Sequence, residues 1–515
     1  MDAVFGATGF LGRWTVLHLL GRGRQVAAVV RAPGGLRDWL LDHGADVERL
    51  LFVTADITAG ASLGLSAEDD RRLMDVREVF NAAAIYRFGL SREQAQAVNV
   101  DGAVNVVRWA GTRPNLRTLI HVSGYRVGLD PEPRYPLPEA ESAKLYRSKG
   151  AYEGSKTEAD AAVRVLAAQL GIPLTVVNPS SVIGHSTTGE AGQYLGLAEL
   201  VRDLWTGKLP ALPGTARTFV PVVTVDYFAE FMATLTECGP GDRHWVLDEK
   251  TPDLPKLVRL LAEHLGVRAP KFRVPVGLVR RLPSSLTGAN PETLTFLAED
   301  RYDTESARAV GLRQPPVEIA LRRWADRLVA DGFGATPAVL PGGFHDIGGA
   351  RTYVAGDRST PKTVVLQGIP FISQAGQDVP GSVLVADPPG LGRSGPAAGK
   401  PEDWLAELLA PVRSRPILIA HSVAAAPALR YAAAQSDRIA GLVLVAPHFL
   451  HDTPLAPRTT ADQPRRADAA RDEARWTRTA NDPTERRVLR VLATETGAIT
   501  TPDFDGLPQI LRSLG

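Results

Sequence analysis

The stretch AVFGATGFLGRW, residues 3–14, constrains the fold more than any other. A short apolar run enters a turn with glycines at positions 6, 9 and 12 and leaves it as a helix. This spacing lets the backbone approach a pyrophosphate, whose charge then meets free N–H groups and a helix N-terminus. Such a turn works inside a βαβ framework. The first 180 or so residues supply one: QVAAVV, RLLFVTADI, EVFNAA, RTLIHVSG and PLTVVNPSSVIG alternate with helical stretches. Strands apolar on both faces predict a parallel, doubly wound α/β sheet of the Rossmann type.

A chain of 515 residues exceeds one ordinary core, so two domains are expected. Residues 195–335 carry mainly helical patterns and read as a smaller substrate lobe, completing a first domain over 1–335. The segment DGFGATPAVLPGGF, Asp331–Phe344, lacks apolar periodicity and reads as a linker. The strand pattern then restarts with ARTYVAG, KTVVLQGIP and SVLVADPPGLGRSG, which predicts a second α/β domain over 342–515, with cap-like helices over 455–515. Apolar content of 44%, charged content of 22% and a net charge of +1 describe a soluble chain with no bias toward nucleic acid. Cys238 is the only cysteine, and no His, Asp or Glu cluster has metal-ligand spacing, so no metal is expected. The N-terminus enters a strand at once, and no apolar run reaches the roughly 18 residues of a membrane span. A cytoplasmic location is the expectation.

The cofactor residues follow from the turn. Gly6, Thr8, Gly9, Phe10, Leu11 and Gly12 form the cradle. Arg31 ends the second strand, where sites selective for NAD carry an acidic residue for the ribose hydroxyls. Arg31, with Arg13, is suited to a 2′-phosphate, which favours NADP(H). Asp56 and Ile57 close the third strand near the adenine. Ala82 and Ala83, after Asn81, leave room for a flat ring, and Pro179 closes the sixth strand beside it.

The chemistry falls on YEGSK. Tyr152 and Lys156 lie one turn apart and share a helix face. A tyrosine titrates near 10, and an adjacent ammonium is expected to lower that value, making Tyr152 a proton donor to a developing oxyanion. Ser123, in HVSG, stands twenty-nine residues earlier and is the candidate to hold the substrate carbonyl. His121 reads as a packed strand histidine, and His185 and Ser186 as candidates to line the pocket.

From Val4 to about Gly332 the chain resembles the extended short-chain dehydrogenase/reductases. TADITAGASLGLSAEDDRRL and VFNAAAIYRFGLSREQAQAVNVDGAVNVVRWA are similar to the thioester-reductase and fatty-acyl-CoA-reductase branch, as are VNPSSVIGHSTTGEAGQ and LPALPGTARTFVPVVTVDYFAEFM. The resemblance implies NADPH-dependent reduction of an acyl thioester, on CoA or an acyl carrier protein, to aldehyde or alcohol. Two positions depart from it: Ser123-Gly124 where relatives have two hydroxyl residues, and Asn178-Pro179 where they have Arg-Pro. The alternative is a ketone or aldehyde reductase of the dihydroflavonol-reductase or hydroxysteroid-dehydrogenase type.

The second domain resembles the α/β-hydrolase fold over about 342–449. PILIAHSVAAAPALRYAA reads as strand, sharp turn and helix, with Ser422 at the nucleophile position and Ala420 and Ala424 where glycines are usual. Ile369 and Val423 would offer the oxyanion N–H groups. His448 and His451 are the only histidines after Ser422, and Asp387 and Asp452 are positional candidates for the acid. The fold would need two more strands after IAGLVLVAPHFL, and neither is recognisable in the sequence. Three readings stay open: a degenerate hydrolase kept for packing or shielding, an intact hydrolase whose last part lies beyond this sequence, and a triad rewired through His448 or His451.

Overall fold

The computed structural model describes residues 1–237, 241, 243–279, 292–334, 340, 342–368, 379, 381–397, 399–447 and 499–501. Packing divides the chain into two compact units. The first comprises Met1–Leu197, Ala211–Val258 and Lys271–Trp324; the second comprises Ala198–Pro210, Arg259–Pro270 and Ala325–Gly515.

The first unit is built on seven strands: β1 (Asp2–Phe5), β2 (Val26–Val30), β3 (Leu50–Thr54), β4 (Glu78–Asn81), β5 (Thr118–Val122), β6 (Leu174–Pro179) and β7 (Arg243–Val246). They lie in the order β7-β6-β5-β4-β1-β2-β3 and every pairing is parallel. Alternate residues of each strand point to opposite faces, and both faces are apolar. Val4, Ala28, Phe80 and Ile120 pack against Val16 and Leu19 of α1 (Phe10–Gly21). On the other face Ala3, Phe5, Val79 and Leu119 meet Val104 and Val107 of α2 (Gly102–Ala110). They also meet Ala159 and Val163 of α3 (Glu139–Leu170). β1 has β4 on one side and β2 on the other, so the connections diverge there and open a crevice at the strand C-termini. The strand runs read in the sequence are β1 to β6.

The second unit holds β8 (Gly342–Ile347), β9 (Ala350–Gly356), β10 (Thr363–Leu366), β11 (Val383–Ala386), β12 (Ile417–His421), β13 (Gly441–Val445) and β14 (Ile499–Thr501). Their order is β8-β9-β11-β10-β12-β13-β14, with the β8–β9 and β9–β11 pairs antiparallel and the rest parallel. β14 corrects the expectation that no further strand precedes Gly515, and places a strand at 499–501 where cap helices were expected. Three residues are too few to display a period, so sequence patterning is blind to it. One face of the sheet buries Val354, Leu366, Leu384 and Leu418 under Trp404 and Leu408 of α4 (Pro401–Leu409) and Leu429 of α5 (Ala425–Ala434).

Candidate active site

The glycine turn is shaped for close approach. Gly6 has φ 77°, and a Cβ there would stand 2.8 Å from the Ala83 nitrogen and 2.9 Å from the Ala82 carbonyl. A Cβ on Gly12 would fall 2.1 Å from the Gly6 oxygen. Only glycine satisfies both demands, which keeps α1 tight against β1 and leaves its N-terminus bare. Gly9 N–H donates to the Gly6 carbonyl at 2.9 Å, and Thr8 and Gly9 are exposed at the mouth of the crevice. This donor set fits a dinucleotide pyrophosphate.

Ala82, with Gly9, Phe10, Leu11 and Gly12, lines a cavity of 230 Å³ that continues to Val122, Ser123, Tyr152, Lys156 and Pro179. Tyr86, Tyr125, Arg126, Glu153 and Phe296 form its far wall. Ile57 packs at the start of α2, where its carbonyl accepts from Asn105 Nδ2 at 2.8 Å, and Ala83 N–H donates to Asn81 Oδ1 at 3.3 Å. Arg31 is exposed at the tip of β2. Asp56 Oδ1 accepts from the Thr58 N–H at 2.9 Å and hydroxyl at 2.8 Å. Those bonds hold its carboxyl below the usual range, and the positive charge of Arg31 adds to the effect. A carboxylate therefore does lie within the field of Arg31, which the sequence reading did not anticipate.

Arg13 is engaged elsewhere. Its guanidinium lies 3.5 Å from Glu190 and 4.7 Å from the Trp39 ring. Glu190 also accepts from Trp39 Nε1 at 2.9 Å and contacts His43 Nε2 at 2.8 Å. His185 and Ser186 do not line the cavity, a correction to the expectation. Ser186 donates through its N–H and hydroxyl to Asp226 at 2.9 and 2.5 Å, and His185 stacks on Trp14 at 5.0 Å.

Tyr152 and Lys156 meet at the cavity as the spacing requires. Lys156 is buried and its Nζ donates to the Val122 carbonyl at 3.0 Å. Burial draws its pKa down to about 8, with the nearby Asp160 acting in the opposite sense. Tyr152 faces Tyr86, with ring centroids 4.9 Å apart. Burial raises its phenol well above 10, and Tyr86 and Glu153 push the same way. The lowering expected from Lys156 is absent because that ammonium turns to a backbone carbonyl. The phenol is protonated at neutral pH with or without this shift, and the shift makes it a weaker acid.

Ser123 is buried and donates to Asp160 Oδ1 at 2.7 Å. Its one proton is therefore committed to a carboxylate, which corrects the expectation that it donates to a substrate carbonyl. Asp160, one turn beyond Lys156, went unremarked in the sequence although its i+4 spacing places it on the same face. His121 is buried as expected, with Nδ1 3.3 Å from Asn81 Nδ2.

In the second unit Ser422 sits directly after β12 with φ 52°, a strained conformation for a side chain larger than glycine and the shape of a nucleophile elbow. A Cβ on Gly368 would fall 2.1 Å from the His421 carbonyl, so that loop crosses tight against the elbow. Val423 is buried in the same turn. Asp387 is fully buried and accepts from Gln367 Nε2 at 3.2 Å and from the Arg393 N–H and Nε at 2.9 and 3.0 Å. It is a structural carboxylate that fastens the loop after β11. Ile369, His448, His451, Asp452 and Cys238 lie outside the described residues. Among the described residues no group of three or more His, Cys, Asp or Glu could hold a metal, and no helix is long and apolar enough to cross a membrane.

A parallel sheet with a glycine cradle at its switch point and a Tyr-Lys pair in the adjoining cavity defines an NAD(P)-dependent oxidoreductase of the short-chain dehydrogenase/reductase type. Residues 4–232 match the family model described as Male sterility protein, an NAD-binding domain, and residues 369–505 match that of the alpha/beta hydrolase fold. Tetraketide alpha-pyrone reductase 1 of Arabidopsis thaliana is 28% identical over 66% of this chain and 97% of its own length. Cinnamoyl-CoA reductase CAD2 of Medicago truncatula is 26% identical over 63% of this chain and 94% of its own. The terminal R domain of the myxalamid PKS-NRPS pathway has the same fold, with a TM-score of 0.52 at 22% identity over 65% of this chain and 92% of that one. Residues 4–232 are thus similar to NAD-binding domains of the male-sterility type and residues 369–505 to the alpha/beta hydrolase fold, and both named relatives are reductases.

Proposed function

We propose that the first unit reduces acyl thioesters, held on CoA or an acyl carrier protein, with NADPH as the reductant, in the cytoplasm. The observation that carries the reading is the convergence of the glycine cradle, Tyr152 and Lys156 on one cavity. The thioester class is supported by the male-sterility match and by a cinnamoyl-CoA reductase among the relatives. The preference for NADPH is supported by Arg31, exposed at the tip of β2, where a charge-assisted pair to a phosphate is available.

NADPH, when bound, would supply the hydride that the carbonyl carbon receives. Gly6, Gly9 and Gly12 would hold its pyrophosphate and Lys156 its nicotinamide ribose, with Ala82 and Pro179 lining the same cavity. Tyr152 donates its phenolic proton to the carbonyl oxygen as that oxygen becomes negative. The hemithioacetal so formed collapses by breaking its C–S bond, its hydroxyl proton passing to the sulfur, and leaves aldehyde and free thiol. With Ser123 committed to Asp160 and Gly124 beside it, Tyr152 carries the oxyanion with less help than a second hydroxyl would give. One missing oxyanion donor costs on the order of 10²-fold in rate, so turnover is expected to be slow.

A second reading, reduction of ketones, is favoured by the tetraketide alpha-pyrone reductase relative, which aligns over nearly its whole length. Incubation with NADPH and a panel of acyl-CoAs, aldehydes and ketones decides between them: thiol release matched by NADPH oxidation accompanies only thioester reduction. For the second unit we propose a non-catalytic role in packing or in shielding the substrate. The elbow strain at Ser422 favours a hydrolase, and labelling by a phosphonate probe tests that alternative.

A further inference from the structure

Helix α3 is not continuous. At Gly150 the backbone leaves helical space (φ 81°, ψ 172°), so Tyr152 stands at the start of a second helical segment rather than in the middle of one. The exposed N–H at that new start is met from a distant part of the chain: Ala151 donates to Glu292 Oε1 at 2.9 Å. The other carboxylate oxygen of Glu292 accepts from Gly89 N–H at 3.4 Å, in the loop that carries Tyr86 and Phe88. Gly150 is needed for this approach, since a Cβ there would lie 2.7 Å from Glu292 Oε1.

Glu292 opens the short turn Thr293–Phe296, and this turn is fastened to the cavity at its other end. Arg126, in the loop after β5, donates to the carbonyls of Thr295 and Phe296, the latter at 2.6 Å. Phe296 lines the cavity and meets Phe88 edge-on at 5.8 Å, while Phe88 and Tyr86 meet Tyr152 at 6.3 and 4.9 Å. The aromatic wall and the proton donor are thereby linked through one carboxylate.

We infer that Glu292 is a positioning residue: it caps the helical segment bearing Tyr152 and ties it to the aromatic wall, so that packing of the substrate's acyl part against Tyr86 and Phe296 sets the proton donor in place. This rests on Tyr152 being the proton donor. Small misplacement of a reacting group costs up to about 10²-fold in rate, and with Lys156 still anchored we expect Glu292→Ala to lower kcat about 10-fold. The glycine cradle and Lys156 are untouched, so the Kd for NADPH should stay within about 2-fold. Glu292→Gln retains a neutral acceptor for Ala151 and should recover kcat to within about 3-fold of wild type. Gly150→Ala displaces the carboxylate and should slow turnover as Glu292→Ala does. Because both act on one contact, the double variant should be no slower than the slower single variant.

Kinetics with NADPH titration, alongside Tyr152→Phe, test this. A wild-type kcat in Glu292→Ala while Tyr152→Phe is inactive overturns the inference alone. Full turnover by Tyr152→Phe overturns the reading beneath it as well. A kcat loss in Glu292→Ala that matches the fraction of protein unable to bind NADPH marks a merely structural residue and also overturns it. Should Glu292→Ala not fold, wild-type turnover in Gly150→Ala has the same force.

Discussion

Acid should loosen the central sheet of the first unit through one side chain, His121. Its ring is 3% exposed on β5, and its Nε2 makes no hydrogen bond within the described structure. Burial first, and then the charge of Lys156, draw its pKa from 6.5 to about 3. The folded value lies below the unfolded one, so on acidification the unfolded chain takes up the proton first. The stability contributed by the neutral ring is complete above about pH 6.5 and is lost as pH falls from there toward 3. At pH 5 the difference in proton uptake amounts to about 2 kcal/mol, against a few tenths at pH 7. Lys156, with its pKa about 8, and Asn81 face the ring, and neither changes charge between these two pH values. Hydrogen exchange at the β4 and β5 amides, corrected for intrinsic rates, reads the opening free energy of that part of the sheet. Between pH 7 and 5 it should fall by about 2 kcal/mol more in wild type than in His121→Gln, which cannot titrate. Parallel losses in the two proteins would show that His121 is not held neutral by its surroundings.

Two further outcomes follow from the other sites. Arg31→Ala should reduce the preference for NADPH over NADH, read as the ratio of kcat/KM for the two cofactors; a wild type that already prefers NADH contradicts the phosphate argument. A phosphonate probe should not label Ser422, because a serine hydroxyl needs a basic histidine in reach: of the described histidines of the second unit, His264 and His345 are engaged with Asp326 and Arg358, each at 2.7 Å, and burial draws the pKa of His421 down to about 4. Stoichiometric labelling that disappears in His448→Ala or His451→Ala would establish a rewired triad.

What could be read from the sequence has a common physical character. The parallel strands announce themselves because strands buried on both faces leave unbroken apolar runs, as in VAAVV and GLVLV. The cradle is legible because Gly6 and Gly12 answer local demands of backbone conformation and contact. Tyr152 and Lys156 are legible because four residues is one helical turn. What escaped the sequence was long-range. Asp160 captures the Ser123 proton across 37 positions, Ser186 turns to Asp226 across 40, and Glu292 reaches Ala151 across 141. None of these pairings leaves a periodic trace. The direction of the Tyr152 shift was misjudged for a related reason: proximity in sequence placed Lys156 beside it, whereas burial and the turn of Nζ toward Val122 decide the electrostatics. The Gly150 break did leave a signal, a glycine two residues before Tyr152, whose meaning depended on a carboxylate far along the chain.

The central claim is that Tyr152 protonates the carbonyl of an acyl thioester reduced by NADPH, and one measurement addresses it most directly. Wild type and Tyr152→Phe are mixed with NADPH and an acyl-CoA, and NADPH oxidation, aldehyde and free thiol are followed together. The account predicts equal amounts of aldehyde and thiol from the wild type, with one NADPH consumed for each. It predicts almost no turnover by Tyr152→Phe despite unchanged NADPH binding. No NADPH oxidation with any acyl-CoA, or a Tyr152→Phe protein as fast as wild type, would contradict it.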